Sequence, residues 1–166
     1  EQYDCYLLAD SNPTQSLKAI VEVWQTDKGL LSADTIAMKS AADSSFIFYT
    51  CNKHVYTDKT KKVIRIKLLD GERLIANYFK YLVAPKDLHL KIPELNINYD
   101  KDSGMLTLRS DVFIAGLYLY TENSELMLSD NFFDMVPGEI ITIQLENKEK
   151  YHGEKILYQS LNTIRK

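Results

Sequence analysis

Two tandem antiparallel β-sandwiches, an all-β fold, are what the sequence predicts, and three observations carry that reading. Short alternating runs of apolar and polar residues recur roughly every 10 residues, the spacing of a sandwich. Tyrosine supplies 11 of the 166 residues against only 6 glycines, so the strand-favouring residues outweigh the breakers. The alternation breaks once, at Ala84-Pro85-Lys86-Asp87, and then resumes, which divides the chain into halves of similar length.

In the first half, Tyr3 to Ala9 reads as a strand. Leu17 to Gln25 is a second, with Leu17, Ala19, Val21 and Val23 on one face and Lys18, Ile20, Glu22 and Trp24 on the other. Asp27-Lys28-Gly29 forms a hairpin-like turn into Leu30 and Leu31. Ser32 to Ala42 holds enough alanine for a turn or two of helix, but strand and loop are the expectation there. Ser45 to Cys51 is a β-branched and aromatic run. Lys62 to Leu69 alternates, with Ile64, Ile66 and Leu68 expected inward and Val63, Arg65 and Lys67 outward. A second hairpin turn, Asp70-Gly71-Glu72-Arg73, leads into Leu74 to Val83.

The joint carries no Gly/Ser richness, so a short, stiff, extended connection is expected between a domain at 1–84 and another at 85–166. Beyond it the pattern repeats: Leu88, Leu90 and Ile92, then Leu95 to Tyr99, a turn at Asp100 to Gly104, Met105 to Arg109 and Val112 to Tyr120. Glu125 to Leu128, Ile140 to Leu145 and Ile156 to Ile164 complete the expected strands. Six or seven strands in about 80 residues is the size of a small immunoglobulin-like sandwich, so the prediction is two such domains in tandem.

Composition excludes several function classes. Charged residues make up 26% and hydrophobic residues 45%, a globular balance. A formal net charge of -3, from 20 basic and 23 acidic residues, steers away from nucleic acid and from anionic membranes. No apolar run approaches the roughly 20 residues of a membrane span, and no membrane partner is expected. Neither a signal peptide nor an initial methionine is present, as expected of a mature or excised piece. The compartment stays open, an extracytoplasmic one (periplasmic or secreted) being favoured. Cys5 and Cys51 leave two readings: a disulfide between neighbouring strands, or two buried free thiols.

Candidates for chemistry are few. His54, His89 and His152 are scattered, with no second His or Cys at metal-ligand spacing, so no metal is expected. Asp100-Lys101-Asp102-Ser103-Gly104 superficially matches the start of a calcium loop, but Met105 stands where that loop needs glycine and Asp111 where it needs a bidentate glutamate. A hairpin turn explains it without a cation. Motifs for nucleophiles and phosphate cradles are missing, and the acids fall mostly in turns or on outward strand positions. No catalytic residue and no cofactor is therefore expected. Trp24 is the one candidate sugar contact, weighed against packing with Ile20 on a neighbouring domain or loop. Tyr78, Phe79 and Tyr81, which lead into the joint, invite the same choice, with interdomain packing the expectation.

The densest information lies in Ser129-Asp130-Asn131-Phe132-Phe133-Asp134-Met135-Val136-Pro137-Gly138-Glu139. Turn-rich segments seldom carry two adjacent phenylalanines unless those are buried. Asp130 and Asn131 suit a local Asx-type turn, and Pro137-Gly138 a tight turn into the next strand. Phe132 and Phe133, as neighbours on an extended segment, should point to opposite sides, one into the core and one toward an adjacent surface. Burying one such ring is worth about 2–3 kcal/mol, so the segment reads as a structural anchor.

That segment is similar to the closing-domain signature of the β-mannosidases of glycoside hydrolase family two. Tyr6 to Asp10, Val21 to Trp24 and Asn77-Tyr78-Phe79 resemble the immunoglobulin-like domain that follows the catalytic barrel in that family, and Ala84 to Leu90 its passage to the last domain. The resemblance implies that residues 1–84 are a mannosidase-type immunoglobulin-like domain and 85–166 the C-terminal one. It implies retaining hydrolysis of terminal β-D-mannose by the parent protein, with the catalytic glutamates in a barrel this sequence does not contain. The partners it implies are that barrel and the parent's N-terminal domains, with a glycan as a further partner. Two alternatives stand beside the accessory reading. An independent carbohydrate-binding module should show a planar aromatic strip, and an adhesion-type ectodomain a long unpaired strand edge or a large apolar patch.

Overall fold

The backbone of the first half is organised by one long antiparallel pairing, in which Gln15–Gln25 lies along Lys62–Asp70 from Leu17 opposite Asp70 to Gln25 opposite Lys62. A computed structural model describes residues 3–9, 15–51 and 57–164 of the chain. Of the strands it holds, β1 is Asp4–Ala9, β2 Gln15–Gln25, β3 Gly29–Ser40, β4 Ser44–Thr50, β5 Lys62–Asp70 and β6 Arg73–Tyr81. They form a four-stranded sheet in the order β3-β2-β5-β6 and a two-stranded ribbon, β1-β4. The β5–β6 hairpin closes with Asp70 opposite Arg73, and Gly71 at φ 61 takes the left-handed first position that a tight two-residue loop requires.

The segment that could have been helical is instead β3, a 12-residue strand ending in a turn at Asp43, whose φ is 52. Its pairing with β2 outweighs the modest helix preference of its alanines. Val21, Val23, Cys51, Ile64 and Leu82 form the core of this half, with Tyr3, Cys5, Ile36, Phe48, Tyr49 and Ile66 packed against it. One expectation is corrected. Val63 is fully buried and Arg65 is 7% exposed, although alternation marks both as outward. That face of the sheet is covered as well: Arg65 donates from Nε to Asn77 Oδ1 at 2.8 Å and lays its guanidinium 5.4 Å over the Phe79 ring.

The second half contains β7 Asn96–Asp100, β8 Met105–Arg109, β9 Ile114–Tyr120, β10 Phe133–Met135, β11 Ile140–Gln144 and β12 Leu157–Gln159, followed by the short helix α1, Leu161–Ile164. Two three-stranded sheets, β11-β8-β7 and β10-β9-β12, enclose Leu106, Leu108, Ile114, Leu117, Leu119, Met135 and Ile143. Grouping by contacts gives one unit of residues 1–25 with 30–88 and another of 26–29 with 89–166. The pairings β1–β4, β2–β5, β5–β6, β7–β8, β8–β11, β9–β10 and β9–β12 are antiparallel, and the all-β sandwich expectation holds. No helix among the described residues is long and apolar enough to cross a membrane.

Two predicted strands of this half differ. Glu125 to Leu128 makes only an isolated bridge, Leu128 to Leu145. Asn147 serves its neighbours instead, donating to the Glu125 carbonyl at 2.8 Å and accepting from the Met127 amide at 3.0 Å. Ile156 to Ile164 is strand only at Leu157–Gln159. It then turns into α1, where the Thr163 hydroxyl bonds the Ser160 backbone twice, accepting from its N–H and donating to its carbonyl, both at 3.0 Å.

Candidate functional site: the Ser129–Glu139 segment

The segment runs beside β9, and its polar side chains bond the β9 backbone. Asn131 accepts from the Leu119 amide through Oδ1 at 2.9 Å and donates from Nδ2 to the Leu119 carbonyl at 3.0 Å. One side-chain amide thereby reproduces the two bonds a paired strand residue would supply. Its Oδ1 also accepts from the Phe132 amide at 3.1 Å, and Asp130 Oδ1 accepts from the Asn131 amide at 2.8 Å. The local bonding expected of Asp130 and Asn131 is present, but the long-range pair to Leu119 is the larger part of what Asn131 does. Distance along the chain hides that pair from sequence reasoning.

Phe133 and Asp134 explain how β10 begins. Register shifts between Phe133 and Met135, so Asp134 falls at a bulge. Opposite it, Gly116 takes φ 61 in the middle of β9, a conformation that costs a side-chain-bearing residue. Its amide, turned out of the ladder, donates to Asp134 Oδ1 at 2.7 Å. Phe133 packs on the core cluster and Met135 is fully buried within it. Phe132 points the other way. It is 72% exposed at φ 63, and its ring stacks on Tyr118 with centroids 4.4 Å apart and planes 18° from parallel; Tyr118 in turn stacks on Tyr120. Pro137 is half-buried. Gly138 stands at φ 77 and donates to the Ser110 carbonyl at 2.7 Å, and Glu139 Oε2 accepts from the Val136 amide at 3.3 Å.

Trp24 is on β2 and is half-buried. Its indole N–H donates to Glu22 Oε2 at 2.9 Å, while Glu22 Oε1 meets Lys67 Nζ at 2.5 Å. Glu22 is only 6% exposed, so an ion pair on the second face of the sheet orients the ring. Cross-strand register places Lys67 opposite Ile20, one step from Glu22 on the same face. Tyr78 is exposed, and Phe79 lies beneath Arg65.

Histidines 89 and 152 are exposed, and His54 falls outside the described residues. Asp100 closes its own turn, accepting from Ser103 Oγ at 2.6 Å and the Asp102 amide at 3.0 Å, and these bonds, the serine hydroxyl first, hold its carboxyl below the usual range. Sequence reasoning missed Asn162 altogether. It is 3% exposed, accepts from the Ala115 amide at 3.0 Å and donates to the Lys91 and Phe113 carbonyls, both at 2.8 Å.

Known proteins match this geometry in three ways. A family model for the mannosidase immunoglobulin-fold domain matches residues 90–162. Beta-mannosidase B of Thermothelomyces thermophilus is 30% identical over 90 residues, 53% of this chain and 10% of that protein. Among solved structures, the β-D-mannosidase of Dictyoglomus thermophilum aligns with 96% of this chain at a TM-score of 0.69 and 16% identity. The exo-chitosanase CsxA of Amycolatopsis orientalis aligns with 95% at 0.61 and 14%. At such identities the structural likeness concerns the fold. The chain spans about a tenth of the curated relative and a fifth to a quarter of the solved chains. Residues 90–162 match the mannosidase immunoglobulin-fold domain, and the chain as a whole has the β-sandwich fold found in these glycosidase structures.

Proposed function

We propose that the chain is a non-catalytic accessory region of a β-mannosidase-type glycoside hydrolase, acting as scaffold beside a catalytic domain outside this sequence. The observation that supports this best is how the polar groups of Ser129–Glu139 are used. Asn131 is bonded to Leu119, Asp134 to Gly116 and Glu139 to Val136, all through backbone amides. A carboxylate oxygen bonded to a backbone N–H is aimed at the fold, where it serves the architecture of the segment. The segment holds β10 against β9.

The nine-residue edge strand β6, with Leu74, Ile75 and Tyr78 exposed, suits a surface that meets a neighbouring domain, and an adhesion ectodomain would present a similar edge. The match of residues 90–162 to a mannosidase-type domain favours the first.

Purified chain incubated with a chromogenic β-mannoside should release no product above buffer. Turnover that scales with chain concentration would overturn the accessory reading. Calorimetric titration with manno-oligosaccharides should give no saturable heat; a saturable heat abolished by Trp24→Ala would replace scaffold with glycan-binding module.

A further inference from the structure

Cys5 lies in β1 and Cys51 one residue past β4, and the pairing of these strands brings them together. Cys5 is opposite Tyr49, and the Cys51 amide donates to the Tyr3 carbonyl at 2.9 Å, so Cys5, Tyr49, Tyr3 and Cys51 share one face of the ribbon. That face is the core face. Cys51 is 5% exposed within the first unit's cluster and Cys5 packs against it, half-buried. Both line a groove of about 580 Å³ together with Leu7, Phe48, Ile64 and Tyr78.

Cys5 opposite Tyr49 and Cys51 bonded to Tyr3 leave the two cysteines at diagonal positions on neighbouring strands of that face. The Cys51 thiol donates to Cys5, which holds the Cys5 thiol below its ordinary value against burial and the Asp4 carboxylate. The same bond, with burial, pushes Cys51 up. Cys5, half-buried where Cys51 is buried, is the more accessible of the two and the one a small disulfide reaches first. A register shift between Cys5 and Tyr6 marks a bulge, which gives the ribbon a local place to twist as diagonal positions draw together.

We propose that Cys5 and Cys51 are a thiol–disulfide exchange site, at which a low-molecular-weight disulfide entering the groove oxidises the pair to a bond joining β1 to β4. The Cys5 thiolate attacks one sulfur of the small disulfide, whose S–S bond breaks and releases one thiolate. Cys51 then gives up its proton to that thiolate and attacks the Cys5 sulfur, releasing the second. Two protein thiols are oxidised to one disulfide, and one small disulfide is reduced to two thiols. The new bond closes the chain between positions 5 and 51 and restricts the unfolded state.

The test uses the full chain, folded, after removal of reductant and addition of oxidised glutathione. Intact mass should fall by two hydrogens with no adduct, and a non-reducing peptide map should show Cys5 linked to Cys51. The midpoint of thermal unfolding should rise by at least about 5 °C and return on reduction. Cys51→Ser should instead trap one glutathione on Cys5, and Cys5→Ser should leave Cys51 unmodified. Thiols that stay unreacted in the folded chain but react in urea would overturn the proposal. So would separate adducts on both cysteines, or disulfides formed only between chains.

Discussion

Replacing Asn131 with alanine removes both bonds to Leu119 at once, which makes it the sharpest test of the Ser129–Glu139 segment as an anchor. Leu119 is 1% exposed, so its N–H and C=O lose their partners in a largely dry setting. Each orphaned buried group costs about 1–3 kcal/mol. Asn131 itself is half-buried, and water entering the vacated edge recovers part of that cost. A loss of about 2–4 kcal/mol is expected, equivalent to roughly 10–20 °C in the melting temperature of a domain of this size. Asn131→Asp keeps the acceptor for Leu119 N–H but sets a carboxylate oxygen against the Leu119 carbonyl. That repulsion raises the folded-state pKa of the new carboxyl, so this variant's stability deficit should shrink as pH falls through the raised value and the protonated acid begins to donate. Phe132→Ala is the control, because a ring 72% exposed and stacked only on Tyr118 contributes about 1 kcal/mol or less. Urea unfolding combined with hydrogen exchange at the Leu119 and Gly116 amides reads all three, with amides of β2 and β5 as internal reference. Two outcomes would refute the reasoning: Asn131→Ala within about 0.5 kcal/mol of the parent chain, or Phe132→Ala as damaging as Asn131→Ala.

Two further predictions rest on single side chains. Asn162→Ala deprives the buried Ala115 amide and the Phe113 carbonyl of their partner, and should cost about 2–4 kcal/mol with lost exchange protection at Ala115, measured by the same method. Tyr49, bonded through its hydroxyl to Asp34, has its phenol held well above its ordinary value by burial first and that bond second. An acid with a raised folded-state pKa contributes stability that is intact below the unfolded value, near 10, and is lost as pH rises past it. Melting temperature should therefore fall between about pH 9 and 11, and Tyr49→Phe should flatten that fall.

Sequence legibility followed the reach of each interaction. Strands whose faces differ in polarity were readable, because β2 meets the first unit's core and β8 the second's with alternate residues. Reading failed where the covering group came from elsewhere. Val63 and Arg65 look outward on β5 alone, and only the structure shows that face buried. Around Glu125 to Leu128 the apolar content suggested a strand, while the side chain of Asn147 took the Glu125 carbonyl and the Met127 amide. Ile156 to Ile164 reads as one run, yet a short helix begins inside it, with the Thr163 hydroxyl bonded to the Ser160 backbone.

The opening motif divides along the same line. The sequence by itself determined that Ser129–Glu139 must be special, since adjacent phenylalanines among acids and turn formers demand burial on one side. It also determined the all-β fold, because alternation and turn residues are local properties. Tertiary structure alone decided which phenylalanine is buried, that Asn131 stands in for a strand partner of Leu119, and that Asp134 fills a bulge opposite Gly116. It alone set Cys5 and Cys51 on one face of the β1–β4 ribbon, both as free thiols, Cys51 buried and Cys5 half-buried. The physical reason is common to all of these: a hydrogen bond or a packed ring acts over a few ångströms, and only the folded chain sets which distant residues come within that range.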